Sequence, residues 1–392
     1  MAMGDWNPLR CTGTALPVPL LLAVKLIAVA LLLTGHVRLL PEPFLPFLPA
    51  LDAFPGPAVQ MGLQVVFVVS ALALLFNRAP RASCLVLGAT MLLAVVSSKA
   101  YYGNNKTFCG VMLVMVGLYE RPASVWLPRL QLILVYFGAG LNKLLDSDWW
   151  TGQFFDYWAG QRLKQPLYLF AAPLLPPLVL GKIFCWLTIV VELGLAAGFF
   201  IRRLWPYAIW VSVLFHASLL EFTGSTFTMF FFAMQAAVLV FIGWPKELTV
   251  IYDGDCGICN RIRRWLDRVD FDRQFVWLPL QSGIGERWGI PRDALVERLH
   301  LVADGQVSSG FRACKLILLY NPAFLLLVDA ALAAPPNDWV WYRRVVVALL
   351  MAFFFPLFNP VGERVYQWVA ANRYRFSNEG ACAVDQGLSG PR

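Results

Sequence analysis

Residues 252–259 read Tyr-Asp-Gly-Asp-Cys-Gly-Ile-Cys, and Cys256 and Cys259 are the side chains best spaced to do chemistry. Thiol–disulfide exchange needs one sulfur held as an anion and a second sulfur that can reach the mixed disulfide. A helix N-terminus supplies unpaired N–H groups and favours negative charge, so a cysteine placed there ionises readily. A second cysteine three residues on sits one turn inside the same helix. Asp253, Gly254 and Asp255 lead into the pair as its turn. Asp253 and Asp255 oppose a thiolate at Cys256, whereas Arg261, Arg263 and Arg264 favour it.

The elements that must position the pair follow from pattern. Leu248 to Tyr252 is a buried-strand run, and Ile258, Ile262, Trp265, Leu266 and Val269 recur at helical spacing. Gln274 to Leu278 reads as a second strand. Leu299 to Val302 and Gln306 to Ser308 flank Asp304-Gly305 as a hairpin, and a helix is expected over Phe311 to Leu319. The order βαβ then ββα predicts a C-terminal α/β thioredoxin-like domain.

This region resembles the DCC thiol–disulfide oxidoreductases, a thioredoxin-like family. The likeness runs over about residues 247 to 382, through Asp253-Gly254-Asp255-Cys256-Gly257-Ile258-Cys259, Asp304-Gly305, Ser309-Gly310, Val365-Tyr366 and Asn372-Arg373-Tyr374-Arg375. The resemblance implies that Cys256 is the nucleophile and Cys259 the resolving thiol. Thioredoxins place a cis-proline before the strand facing the cysteines, and Val296-Glu297-Arg298 fills that stretch here. Two other readings of the pair stand beside this one. It is half a zinc site with Cys314, Cys382 and His300 as further ligands, or a structural pair in a fold without redox chemistry. No second Cys-x-x-Cys or His pair at ligand spacing accompanies it, so no metal is expected. Cys11, Cys84, Cys109 and Cys185 stand singly in or beside apolar runs, where cysteine fills core.

Composition excludes a soluble enzyme for most of the length. The chain of 392 residues is 59% hydrophobic and 14% charged, with mean hydropathy +0.62, where soluble domains are near a quarter charged. Residues 1–244 hold 24 Lys, Arg, Asp and Glu and the last 148 hold 32. Two domains follow: residues 1–244 as a multi-span membrane domain, residues 245–392 as the redox domain. Eight apolar segments lie near 17–40, 58–76, 82–102, 107–119, 125–145, 177–201, 203–221 and 225–244, and predict a polytopic α-helical membrane bundle of about eight spans. The first lacks a small-residue cleavage site and reads as a span, not a signal peptide. Val345–Phe358, bounded by Trp339, Trp341, Tyr342, Arg343 and Arg344, reads as an interfacial or core helix.

Basic residues in short loops place both termini in the cytoplasm, with the bacterial inner membrane as the expected bilayer. Cys256 and Cys259 would then stay mostly reduced between turnovers, which suits a catalytic or sensing pair. The net charge of +8 reads as topology. No basic–aromatic surface calls for nucleic acid.

Polar residues inside apolar segments are costly and mark candidate sites. Lys143 and His216 are the candidate catalytic groups. Asn104, Asn105, Lys106, Asn142 and Trp149 are the candidate cofactor-binding ones, with Glu192 and Glu221 nearby in the pattern. Lys106, Lys143, Glu221 and His216 are expected near the outer face, where they form one polar pocket, or else snorkel and pair individually. Tyr136 to Trp149, the Asn104-Asn105 turn and Phe215-His216 resemble the membrane domain of vitamin K-dependent gamma-carboxylase and its bacterial HTTM relatives, over about residues 20 to 244. That resemblance implies Lys143 as a base acting on a quinol. Partial burial beside another cation would suit a lysine to that task. The family's Asn-Asn-His is Asn104-Asn105-Lys106 here.

Three functions follow for testing. The first is a membrane-tethered oxidoreductase whose thiol domain needs no cofactor, exchanging with a thiol or disulfide partner and coupled to a quinone or vitamin K-like hydroquinone in the membrane domain. The second is a carboxylase- or epoxidase-like membrane enzyme with the thiol domain as reductant. The third is a redox-sensing scaffold or transporter.

Overall fold

The computed structural model describes residues 6–42, 56–223, 227–335 and 339–373. Cys382, Tyr374 and Arg375, which the sequence patterns singled out, lie outside the described residues. The chain divides into two compact units. One comprises residues 14–242 and 333–344, the other residues 1–13, 243–332 and 345–392.

The first unit is helical. Its main helices are α1 (Val18–Leu33), α2 (Gly56–Leu75), α3 (Pro80–Ser97), α4 (Asn104–Gly117), α5 (Trp126–Leu144), α6 (Val179–Phe200), α7 (Trp205–Thr223) and α8 (Thr228–Val238). Each falls on one of the eight apolar segments. Length and apolarity together qualify only four spans among the described residues: α2, α3, residues 122–144 and α6. The reason is geometric. At 1.5 Å per residue, the 16 residues of α1 and the 14 of α4 make about 24 and 21 Å, short of a ~30 Å hydrocarbon core. α7 is long enough, but Pro206, His216 and Glu221 lower its apolarity.

The second unit holds a four-stranded sheet built from β1 (Leu248–Tyr252), β2 (Phe275–Pro279), β3 (His300–Ala303) and β4 (Gln306–Ser309), in the order β2-β1-β3-β4. β1 and β2 are parallel, joined by α9 (Gly257–Val269), whereas β3 runs antiparallel to both β1 and β4. Asp304 and Gly305 turn the hairpin at φ 45° and 80°, the left-handed region that Asp tolerates and Gly prefers. Leu248, Val250, Leu266, Phe275, Leu301, Ala313 and Ile317 form the core between the sheet and its helices. The segment before α1 belongs to this unit: Cys11 and Thr12 donate their backbone N–H groups to the Asp272 carboxylate at 2.9 Å.

Four helices complete the tail: α10 (Gly310–Leu319), α11 (Pro322–Ala333), α12 (Val340–Phe354) and α13 (Asn359–Asn372). α10 with α11, and α12 with residues 356–372, each pass the span test as a pair, but bend by 74° and 65°. Proline explains both breaks, at Pro322 and Pro356, since it cannot donate to the preceding turn. Among the described residues, length and composition therefore support four to six spans, and the eight expected are not all of that length.

Candidate functional site

Cys256 is the N-cap of α9, with extended φ and ψ of −89° and 115°. Its sulfur accepts the backbone N–H of Cys259 at 3.4 Å and lies 2.7 Å from the Cys259 sulfur. The turn before it is cross-braced. Gln281 donates to Asp253 and Asp255 at 3.0 and 2.9 Å and accepts the Gly254 N–H, while Asn260 donates to the Gly254 carbonyl. Gly254 leaves no room for a side chain: a Cβ there would sit 2.9 Å from Gln281 and 3.0 Å from Pro279.

The two thiols are unequal. The hydrogen bond from Cys259 lowers the Cys256 thiol to about 7 from the usual 9.0. Burial opposes this, the Cys259 N–H and the charge of Arg373 assist it, and Asp253 opposes it. Donating that same bond raises Cys259, with burial and the neighbouring sulfur adding to the shift. Position is unequal in the reverse sense. Cys256 is buried, at 0% exposure, whereas Cys259 is half-buried.

Arg373 is the cation that matters to the pair, rather than Arg261, Arg263 or Arg264. It ends α13, pairs with Asp253 at 3.2 Å, and donates to the carbonyls of Val296 and Glu297 at 2.5 and 3.4 Å. Those carbonyls belong to the stretch that stands where a thioredoxin has its cis-proline. Arg263 instead packs over the Tyr252 ring, and Arg261 and Arg264 are exposed. α13 is held by Glu363, which pairs with Arg298 at 2.9 Å and accepts the Phe311 N–H, and by the Tyr366 hydroxyl, which accepts the Leu299 N–H at 2.8 Å. The sequence patterns named Arg373 and Tyr366 but gave them no role. They also passed over Gln281 and Asn260, which carry no motif signal of their own.

Beside the pair lies a cavity of about 120 Å³. Cys259, Cys314, Tyr366 and Arg373 line it together with aliphatic side chains of α9 and α13. His300 is buried on β3. Among the described residues no three His, Cys, Asp or Glu side chains gather as metal ligands.

In the helical unit the candidate residues fall into three groups. Lys143 pairs with Glu192 at 2.7 Å and lies 5.0 Å from the centroid of the buried Trp149 ring. Its neighbour is thus a carboxylate, where the base hypothesis asked for a cation. Two turns earlier on α5, Tyr136 bonds the Ser212 hydroxyl at 2.7 Å and His216 Nε2 at 2.8 Å. Gly140, between the two groups, faces Leu193 so closely that a Cβ would meet its side chain at 2.8 Å, which brings α5 against α6.

Asn104, Asn105 and Lys106 make the third group at the start of α4. Asn104 accepts from the Tyr102 hydroxyl, Asn105 from the Lys106 N–H, and Lys106 donates to the Tyr101 carbonyl at 2.6 Å from above its ring. Asn142 is exposed. Glu221 pairs with Arg344 at 2.9 Å and not with Lys106 or Lys143. Of the two arrangements the sequence left open, one shared pocket or separate pairings, these side chains make several local groups, of which Lys143–Glu192–Trp149 and Tyr136–Ser212–His216 share a helix.

A cysteine pair at the mouth of a helix, behind a four-stranded mixed sheet and after a bundle of apolar helices, defines a membrane protein with a thiol-bearing α/β unit. Comparison with known families agrees. Residues 122–244 match the family model of the HTTM domain, and residues 250–345 match that of the DCC1-like thiol-disulfide oxidoreductase. The chain carries these two domains in the expected order. The matches are shorter than the resemblances read from sequence: Asn104–Lys106 precede the first, and Tyr366 and Arg373 follow the second. No curated protein and no solved structure matches the chain.

Proposed function

We propose that the protein is a membrane-tethered thiol–disulfide oxidoreductase working through Cys256 and Cys259. The observation that carries this is the unequal pair: one sulfur at a helix N-cap lowered to about 7, held by a second thiol 2.7 Å away. A thiol near neutrality is both a competent thiolate and a good leaving group. The DCC1-like match supports the activity, and the β2-β1-β3-β4 order with parallel β1 and β2 supports a thioredoxin-like reading of the unit. The test is cycling. Wild-type protein exchanges with a disulfide and becomes alkylatable again on reduction, and the Cys256→Ser, Cys259→Ser double variant does neither. A wild type that never interconverts thiol and disulfide would end this reading.

The second reading concerns the membrane unit, where Lys143 and Glu192 form an ion pair with side chains 19% and 10% exposed. Withdrawing two charges from water carries a desolvation penalty that their attraction only partly offsets, and ionisable groups inside apolar segments mark candidate functional sites. With the Trp149 ring centroid 5.0 Å from the ammonium, and Tyr136, two turns earlier on the same helix, bonded to His216, these side chains support a quinone-like ring as the ligand, coupled to the thiol pair through a diffusible carrier. Orientation, with both termini cytoplasmic, and a bacterial inner membrane belong to the same proposal. Lys143→Ala should abolish quinol turnover while Cys256 and Cys259 stay reactive. Unchanged turnover removes Lys143 from the chemistry.

A further inference from the structure

α13 has two faces, and the thiol site uses only one. Gly362, Glu363, Tyr366 and Arg373 turn inward, against Phe311, Arg298, the Leu299 N–H and Asp253. On the other face Val361, Val365 and Trp368 recur at spacings of four and three residues, and are 58%, 57% and 61% exposed. Leu357 continues this stripe one turn before α13 and is exposed too. Arg364 and Gln367, also exposed, run along its edge. A helix on a water-facing surface turns its apolar stripe to the core and gives water its polar side. Here a second apolar stripe points outward over about three turns, which marks a surface for another apolar phase.

The path of the chain says what that phase is. α12 begins in the membrane unit, which holds residues 333–344, and continues into the sheet-bearing unit from Val345. Val345 and Leu349 stay exposed along it, after the exposed Trp339 and Trp341. α12 and residues 356–372 are together apolar enough for a span, but the chain bends by 65° between them. The 14 residues of α13 make about 21 Å, too short to cross a ~30 Å hydrocarbon core. An apolar-striped helix that continues from a membrane unit, turns sharply and cannot cross is suited to lie in the plane of the bilayer interface. Its residues fit that depth: aliphatic side chains for the acyl boundary, a tryptophan for the headgroup level, and Arg364 at the edge to reach phosphate.

We propose that α13 is an interfacial helix whose Leu357, Val361, Val365 and Trp368 stripe is immersed in the phospholipid surface, so that its inner face holds the Cys256–Cys259 site at the bilayer. The occupant of the stripe is lipid, and neither a second copy of the chain nor another of its own helices. Arg364 lies at the level of the lipid phosphates. The same helix thus serves two surfaces: its outer side chains take lipid, and its inner ones bring Arg373 to Asp253 beside the pair. This seating is independent of whether the cysteines exchange.

The experiment uses full-length protein in phosphatidylcholine nanodiscs, with the photoreactive residue p-benzoylphenylalanine installed at one position in each variant. Intact mass is read after illumination. Position 365 is the probe, position 69 on α2 the reference for lipid, and position 307 on β4 the reference for water, all three being exposed valines. At position 365 a mass gain of one phospholipid is expected, with a yield at least about threefold above that at position 307. A smaller excess overturns the proposal, as does a crosslink at position 365 that goes mainly to the chain itself or to a second copy. Position 361 repeats the measurement if the variant at 365 does not melt as the wild type does. A protein that fails to cycle between thiol and disulfide would still give the lipid adduct, so the two readings fail separately.

Discussion

At the residue scale, the chemistry of Cys256 is set by groups of very different sequence distance. The nearest and largest influence is the Cys259 thiol, and the charge of Arg373 at the end of α13 is a smaller one. Both Cys259→Ala and Arg373→Met should therefore move the thiolate absorbance midpoint of Cys256 up from about 7, the first by more. An equal or reversed order would refute the assignment of the hydrogen bond as dominant. Arg373→Met also strands Asp253, whose side chain is 6% exposed, at a cost of at most ~3 kcal/mol because Gln281 still donates to it.

Protonation of the same sulfur makes stability depend on pH. Cys256 titrates lower in the folded protein than in the unfolded chain, so between about pH 7 and 9 the unfolded state binds more protons. The reduced protein should gain stability as pH rises through that window, by up to about 1.4 kcal/mol per pH unit from this group. The gain is complete above the unfolded value and lost as pH falls through about 7. Reduced wild type and Cys256→Ser, unfolded side by side in denaturant across this range, should diverge towards high pH; parallel curves would contradict the shift.

At the scale of elements, α13 closes the site that β1 and α9 begin. It approaches α10 at Gly362, where a Cβ would run into the Phe311 ring. Ala would ordinarily favour a helix over Gly by up to about 1 kcal/mol. Here Gly362→Ala should instead destabilise the protein by about 1–3 kcal/mol through overpacking, and Cys256 should titrate higher as Arg373 shifts. A stabilised variant with unaltered titration would mean that α13 does not hold the site. Gly140 plays the matching part in the helical unit, where α5 and α6 must approach for Lys143 to reach Glu192.

At the scale of the whole molecule, apolar helices make this an integral membrane protein, and it should remain in the pellet after an alkaline carbonate wash. Under the proposed orientation, an impermeant maleimide should label the reduced Cys256–Cys259 pair in inside-out vesicles and not in right-side-out ones. Labelling from the opposite side alone would invert the topology drawn from loop charge.

The sequence by itself determined the elements and the thiol pair, because those signals are local. Alternation and run length mark β1 to β4, the helical period after Cys256 marks α9, and Asp304-Gly305 carries its own turn chemistry. It located eight apolar helices, of which four meet the length and apolarity of a span, since hydropathy does not report where hydrogen bonding stops at Leu33 or Gly117. Only the tertiary structure decided which charges meet. Arg373 came to Asp253, Glu192 to Lys143 and Arg344 to Glu221, each from another helix. It also decided which of the two cysteines lines the cavity. Coulomb forces and burial act through space, and chain order leaves those distances open until the helices pack.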